Sequence, residues 1–569
     1  MQIESRESMS AAKAELWPVN VPHQLQYPEI PLHQILSDSA QKYPDRTAVV
    51  FYGTEITYRK LDDLAWRFAT FLNDLGLSKG DRVALFLPNC PQYIIAFYGT
   101  LRAGGVVVPC NPLYKERELA YQLHDSTPNV LVSLDMLYHV ALGEDKRKPA
   151  AVVLTTSVRD YLPPLLSFFA PLKGVKRHHY PDTKDLKQTL AATTPRKVDV
   201  AINPEEDLAV LQYTGGTTGT PKGAMLTHRN LVVNTTQLDA WSYTSAGTDS
   251  VLCVLPFFHI YGLTVALNFA VKSGATMLLF PRFEAKPVLK AINRYHPNYF
   301  PGVPAMYANL VNREDIKKYD LSSVRRCLSG AAALPVEILR RFEKLTGATL
   351  VEGYGLTEAS PVTHANPLDD KSKRKEGSIG FTLPDTEARI VDIESGKDLQ
   401  VGEAGELLIR GPQVMKGYWN RTTETRLALR DGWLHTGDIA KVDSEGYFYI
   451  VERWKDMIDV SGFKAWPREI EEVLYEHPAV REVSVIGVPD PVKGEVVKAF
   501  VVLQPNRRSE IKGTELQEFC RKKLASYKVP REIEFVNELP KSLIGKVLRR
   551  VLRERELAKL ATKPGVQSQ

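Results

Sequence analysis

Tyr213-Thr214-Gly215-Gly216-Thr217-Thr218-Gly219-Thr220-Pro221-Lys222-Gly223 gathers four glycines, four threonine hydroxyls and one lysine into a single turn. Such a turn is either a cradle for a polyanion or a disordered loop. Leu208 to Leu211 ahead of it reads as a buried strand, and Asn230 onward can open a helix. A disordered loop needs no such frame. Glycines let backbone N–H groups converge on phosphate oxygens, threonine hydroxyls add donors, and Lys222 brings a mobile charge. The spacing is not that of a Walker A loop, because no Gly-Lys-Ser or Gly-Lys-Thr follows a four-residue gap. On motif logic alone, phosphate binding and a plain Gly/Thr-rich loop both stay open.

Outward from the loop, the composition is that of an ordinary globular protein, with 44% hydrophobic and 25% charged residues, so a packed core is expected. A chain of 569 residues exceeds one core, and roughly two to four domains or subdomains are expected. The net charge of +6 is mild for this length, and no reader motif accompanies it, so a nucleic-acid partner is not expected. Cys90, Cys110, Cys253, Cys327 and Cys520 lack metal-ligand spacing and mostly have apolar neighbours, as reduced thiols of a cytoplasmic protein would. Met1 to Leu16 mixes acidic and basic residues and has no apolar signal region. Val251 to Val271 carries no Lys, Arg, Asp or Glu and is long enough to span a bilayer. It contains Pro256, His259, Gly262 and Asn268, and is read as buried strand, turn and helix.

The fold class read from the pattern is α/β. Between Ile35 and Lys115, and again from Leu208 to Gly347, helical patterns alternate with short apolar strands such as Val83–Leu87 and Val106–Pro109. From Gly377 to Tyr449 the texture becomes short strands and turns, including Ala388–Asp392 and Glu406–Arg410, which predicts a β-rich subdomain. Beyond Arg453 a compact α+β unit begins. Pro467 and Arg468 open a helix with Ile470, Val473 and Leu474 at helical spacing and His477 continuing that face. Val483–Val488 and Ala499–Leu503 read as strands, and a charged helical tail follows Arg550. Residues 1–20 are expected to be a flexible arm and 21–453 the large N-terminal domain of layered α/β subdomains.

Four further motifs follow the loop in order. They are Tyr354-Gly355-Leu356-Thr357-Glu358; Gly432-Trp433-Leu434-His435-Thr436-Gly437-Asp438; Arg453 with Lys455-Asp456; and Pro540-Lys541-Ser542-Leu543-Ile544-Gly545-Lys546. Together they make the chain resemble the adenylate-forming superfamily of acyl-CoA synthetases, peptide-synthetase adenylation domains and beetle luciferases. The resemblance runs from about Pro31 to about Arg550. In texture it is most similar to bacterial long-chain fatty-acid–CoA ligases, through Leu255-Pro256-Phe257-Phe258-His259-Ile260-Tyr261-Gly262 and Ser461-Gly462-Phe463.

A carboxylate does not react with a thiol at neutral pH, because its carbonyl is electron-rich and oxide is a poor leaving group. Transfer of AMP from ATP removes both obstacles, and that transfer depends on positioning and charge stabilisation. The resemblance implies ATP, Mg²⁺ and CoA, with residues assigned as follows. Thr214, Gly215, Gly216, Thr217, Thr218, Gly219 and Lys222 hold the β- and γ-phosphates. Glu358, with the Thr214 hydroxyl, is a Mg²⁺ ligand, as a hard cation requires oxygen, and Thr357 touches the α-phosphate. Gly353, Tyr354 and Gly355 form the adenine slot, with Tyr354 stacking, Gly330 and Glu352 also belong to the nucleotide site, and Asp438 with Arg453 takes the ribose. Lys546 enters between the acyl carboxylate and the α-phosphate.

The same resemblance places His259 and Ile260 between the acyl and pantetheine channels, and assigns the acyl pocket to Phe300-Pro301-Gly302-Val303-Pro304, Tyr307 and Gly330-Ala331-Ala332. It implies a hinge at 454–456 centred on Lys455, a mobile C-terminal domain over 457–569, and a loop around Gly462 and Phe463 that serves the CoA step. The chain departs from the family pattern at Glu452, where many relatives have Asp or Gly, at Trp454, and at Lys464-Ala465-Trp466. These departures bear on CoA docking.

An aryl- or short-chain-acyl-CoA ligase shares every catalytic residue and stays open as an alternative. A non-catalytic acyl or nucleotide sensor would be expected to lose Lys546, Glu358 or Asp438, all of which are present. A peptide-synthetase module is disfavoured because no Asp-Ser phosphopantetheine site follows Lys546, and no motif predicts luciferase-like oxygenation. Finally, the apolar run from Tyr161 to Leu172, followed by Lys173, Lys176, Arg177, His178 and His179, has the make-up of peripheral contact with an anionic inner membrane face; an ordinary packed excursion fits it equally.

Overall fold

The computed structural model describes residues 15–143, 148–169, 176–214, 221–243, 245–453, 456–461, 463–490, 493–504, 511–541 and 547–561. The strand Leu208–Thr214 forms where read, with Ala209, Val210 and Leu211 fully buried. Its partner is the antiparallel strand Lys222–Thr227, so the glycine-rich loop joins two adjacent antiparallel strands. The helix expected from Asn230 begins two residues earlier, as His228–Ser242. Thr227 caps it: its hydroxyl accepts the Asn230 N–H, and the Asn230 side-chain oxygen accepts the Thr227 N–H.

Among the described residues these strands belong to an eight-stranded sheet whose interior strands Val106–Pro109, Arg82–Phe86, Val130–Leu134 and Val152–Thr156 run parallel. Parallel strands covered on both faces are apolar throughout, and Val106–Pro109 is buried at every residue. A second sheet, of nine strands among the described residues, is parallel through Thr47–Phe51, Thr276–Leu279, Ser250–Cys253, Tyr299–Gly302, Arg326–Ser329 and Thr349–Gly355. The charge-free segment forms the strand Ser250–Cys253 and a buried helical run over Ile260–Lys272, with a π-helical middle at Leu263–Asn268. No helix among the described residues is long and apolar enough to cross a membrane.

The β-rich subdomain is an antiparallel sheet of Glu387–Val391, Gly405–Arg410, Trp433–Val442, Leu429–Arg430 and Phe448–Arg453. After it, Ile458, Val460, Ile470, Leu474, Val485, Val501, Leu516 and Cys520 form a hydrophobic core apart from the large one. The molecule is thus an α/β protein with a large N-terminal domain and a separate C-terminal one. The helix Pro467–Tyr475 stops before His477, which is buried against Phe519 instead of extending the helical face.

The arm is not loose from Glu15 onward: Trp17 is buried, its indole N–H donates to the Val21 carbonyl, and its ring meets Trp241 edge-on at 5.1 Å. Burial of the large apolar ring offsets part of the freedom that the segment loses. The basic flank near 176–179 is weaker than its composition, because Arg177 is ion-paired with both Asp160 and Asp185. The apolar part does face outward: on the helix Pro164–Phe169, Leu165 is 69% and Phe168 75% exposed. All five cysteines are buried and free of disulfides, and burial pushes the Cys90 thiol up to about 12.

Candidate active site

The paired strands put Thr214 directly opposite Lys222, so a hydroxyl-bearing residue and a lysine flank the mouth of the loop. Gly215, Gly216, Thr217, Thr218 and Gly219 lie outside the described residues. The Lys222 ammonium sits 5.4 Å from the ring centroid of Tyr418. The Tyr418 hydroxyl donates to Glu358 Oε1 at 2.7 Å. Lys222, Tyr418 and Glu358 therefore form one cluster. Tyr418 reaches it on the edge strand Gly417–Tyr418, which pairs with Lys222–Thr227. Burial and the adjacent Glu358 charge keep the Tyr418 phenol protonated.

The strand Thr349–Gly355 brings Glu352, Gly353, Tyr354 and Gly355 to its end, and a 3₁₀ turn, Thr357–Ala359, presents Thr357 and Glu358 immediately after. A Cβ on Gly355 would lie 2.0 Å from the Pro361 carbonyl oxygen, so no side chain fits there. The Tyr354 hydroxyl donates to Asp438 Oδ2 at 2.5 Å, and Arg453 Nε lies 3.2 Å from Asp438 Oδ1. Asp438 and Arg453 face each other on adjacent antiparallel strands. Residues expected to hold adenine and ribose are thus in contact. Glu352 is buried, with Oε2 accepting the Leu334 N–H at 3.1 Å. Burial raises its carboxyl to about 7, opposed by the charge of Arg468 and by that N–H.

His259 begins the helical run and takes the Tyr261 N–H on Nδ1 at 3.2 Å, which leaves the proton of a neutral ring on Nε2. The segment before it is fixed by Asn89, which bonds the Cys253 and Leu255 carbonyls and the Phe257 N–H. Gln212, two residues before Thr214, donates to the Phe258 carbonyl at 2.9 Å and ties this segment to the loop strand. Ile260 is buried behind His259. Gly330 is needed where it stands, since a Cβ would come within 2.9 Å of the Tyr261 ring, and Ala331 follows with φ +67°. Tyr307 is fully buried and bonds the Phe300 carbonyl at 2.7 Å, its ring filling the space beside Gly302.

Phe463 opens the short strand Phe463–Ala465 of the C-terminal domain. It is 60% exposed and stacks on Tyr527 of its own domain at 5.1 Å. Gly462, Lys455 and Lys546 lie outside the described residues.

The AMP-binding enzyme family model matches residues 36–419, and that of the AMP-binding enzyme C-terminal domain matches 469–546. The chain belongs to the AMP-binding enzyme family. It is 48% identical over 547 residues to a long-chain-fatty-acid–CoA ligase of Bacillus subtilis (strain 168), covering 95% of this chain and 97% of the relative. It is 41% identical over 549 residues to the long-chain-fatty-acid–CoA ligase of Escherichia coli O157:H7, covering 94% and 96%. Among solved structures it is similar to the anthranilate CoA ligase AuaEII in complex with anthranoyl-AMP, with a TM-score of 0.85, 28% identity, and 94% and 99% of the two chains covered.

An AMP-binding enzyme of this kind uses ATP, Mg²⁺ and CoA. The donor set fits the metal. Glu358 and Thr214 offer hard oxygen ligands around one loop mouth, and Mg²⁺ prefers few protein ligands completed by phosphate oxygens and water. Two residues of the site, Tyr418 and Arg468, were not picked out from the sequence as site residues. Tyr418 sits in no recognised motif, and its nearest signal was the strand-like Gly417-Tyr418-Trp419 after a loop.

Proposed function

We propose that this AMP-binding enzyme is an ATP-dependent fatty acid–CoA ligase that forms an acyl-adenylate and then acyl-CoA, AMP and pyrophosphate. One observation carries the proposal: the chain Lys222–Tyr418–Glu358 and the chain Tyr354–Asp438–Arg453 flank the same short segment, 354–358. A nucleotide whose adenosine lies on the second cluster has its phosphates at the first.

The fatty-acid carboxylate attacks the α-phosphorus of ATP and pyrophosphate leaves; the CoA thiol then attacks the acyl carbon and AMP leaves. Asp438 accepts from the ribose hydroxyls, with Tyr354 and Arg453 holding its two oxygens in place. Lys222 and Thr214 hold the terminal phosphates with the loop between them. Glu358 and Thr214 would hold Mg²⁺, which would supply charge neutralisation at the phosphates. Lys546 stabilises the charge that develops during adenylate formation, and Thr357 steadies the α-phosphate. His259 orients the acyl carboxylate through Nε2. The B. subtilis and E. coli relatives, both long-chain ligases by name, support a long acyl chain over an aromatic acid.

Three finer readings belong here. Residues 454–456 are the hinge about which the C-terminal domain, 457–569, moves between the two half-reactions, carrying Gly462 and Phe463 toward the CoA channel. The outward Leu165 and Phe168 support peripheral contact of residues 161–179 with a membrane that dissolves the substrate. The enzyme is placed in the cytoplasm, on the inner membrane face. Pyrophosphate release from ATP, Mg²⁺ and CoA is to be measured across saturated fatty acids of rising length, with benzoate and 4-coumarate as controls. A maximum among long chains with acyl-CoA as product is expected. Activity with the aromatic acids alone would transfer the protein to the aryl-CoA ligases.

A further inference from the structure

Arg468 belongs to the first turn of Pro467–Tyr475 in the C-terminal domain, yet its guanidinium is buried in the N-terminal one. Its Nη1 donates to the Ile450 carbonyl at 2.8 Å, its Nη2 to the Gly377 carbonyl at 3.4 Å, and Nη2 lies 3.6 Å from Glu352 Oε1. Nε is held by Glu472, one turn along its own helix, at 3.0 Å. The Arg468 backbone N–H donates to Glu452 Oε2 at 3.1 Å, while Glu452 Oε1 accepts from Arg549 at 2.7 Å. Arg549 also grips Glu471 at 2.8 Å. Glu452, one of the departures from the family pattern, is therefore a buried junction between the domains and sits next to Arg453 of the ribose cluster.

Glu352 is the residue immediately before Gly353-Tyr354-Gly355. Among the described residues its buried carboxylate accepts the Leu334 N–H and faces the Arg468 guanidinium, which belongs to the other domain, with the like charge of Glu472 also nearby. A buried charge stripped of its partner is strongly unfavourable, so an ionised Glu352 and a docked Arg468 stabilise each other. Phe463 is exposed and stacked on Tyr527 of its own domain while Arg468 is docked.

We infer that Arg468 is a positioning residue of the nucleotide site, which acts through Glu352 so that the adenine slot takes its adenylate-forming shape only while the C-terminal domain is docked. This rests on the ligase reading above. It supplies a reason for the domain to remain docked while ATP is bound.

The test separates the half-reactions for Arg468→Met, Glu352→Gln, the double variant and Arg468→Lys. Acid-dependent ATP–pyrophosphate exchange reads adenylate formation, and supplied acyl-adenylate with CoA reads thioester formation. Arg468→Met is expected to lower exchange on the order of tenfold, chiefly through the KM for ATP, while thioester formation is retained. The double variant should be no worse than Arg468→Met, and Arg468→Lys should recover part of the loss. Multiplying losses in the double variant, equal loss in both half-reactions, or no loss in either would overturn the inference. If Arg468→Met does not fold, Glu352→Gln decides: it must show the same split, and its failure to do so overturns the inference. A wild-type enzyme that forms no adenylate at all would instead remove the ligase reading, and is recognised before any variant is compared.

Discussion

Glu352 shows how the fold changes the chemistry of one carboxyl. Burial favours its protonated form and lifts it from the ordinary 4.5 to about 7. An acid raised on folding binds more protons in the native state than in the unfolded one between those two values, so it lowers stability as pH rises from about 4.5 to 7. Glu352→Gln removes that dependence. Melting temperatures of wild type and variant from pH 5 to 8 should show wild type losing ground as pH rises, with the difference levelling off above pH 7; a constant difference would refute it. Lys546 illustrates the opposite case, a residue read from its motif alone. Lys546→Ala should lower adenylate formation about 10²–10³-fold while supplied acyl-adenylate still yields thioester, as loss of one charge-stabilising donor does. Equal loss in both half-reactions would remove its assignment.

Elements differ in how openly the sequence announced them. Val106–Pro109 was legible to the residue, because a short run of β-branched residues bounded by Gly105 and Cys110 has few other uses. Lys222–Thr227 was not, because Lys-Gly-Ala-Met-Leu-Thr has no clean alternation and follows directly on a loop. Its pairing with Leu208–Thr214 is what makes the glycine-rich segment a connection between antiparallel strands. The helix Pro164–Phe169 carries a prediction of its own. Phe168→Asp should weaken co-sedimentation with phosphatidylglycerol vesicles about tenfold or more, the effect of losing one buried aromatic ring and adding a like charge. Turnover of a soluble medium-chain acid should not change. Undiminished vesicle binding would leave the helix as a plain surface excursion.

At the scale of the molecule, the two large sheets carry Thr214, Lys222 and Tyr354, the antiparallel sheet of the β-rich subdomain carries Asp438 and Arg453, and a small domain has a core of its own. Arg468 pairs with Glu352 and Arg549 with Glu452 across the two domains, whereas the Arg549–Glu471 pair lies within the small one. Lys455→Pro, at the expected hinge, removes a backbone N–H and fixes φ, and so limits rotation of the small domain. Thioester formation should fall more than adenylate formation, measured as separate half-reactions on one preparation. An unchanged thioester step would place the hinge elsewhere.

The amino-acid sequence by itself determined the fold class and the family, and it supplied the motifs that carry the candidate nucleotide-site residues. Phosphate, ribose and carboxylate chemistry demand particular side chains on short, glycine-framed turns, and such turns are local. It did not reveal that Thr47–Phe51 would pair with Thr276–Leu279, that Tyr418 would bond Glu358, or that Arg468 would reach Glu352. Those were decided by tertiary structure, because a contact between residues far apart in the chain leaves no periodicity and no spacing to read. Packing of the sheets, and of one domain on the other, is what turns separate motifs into one site.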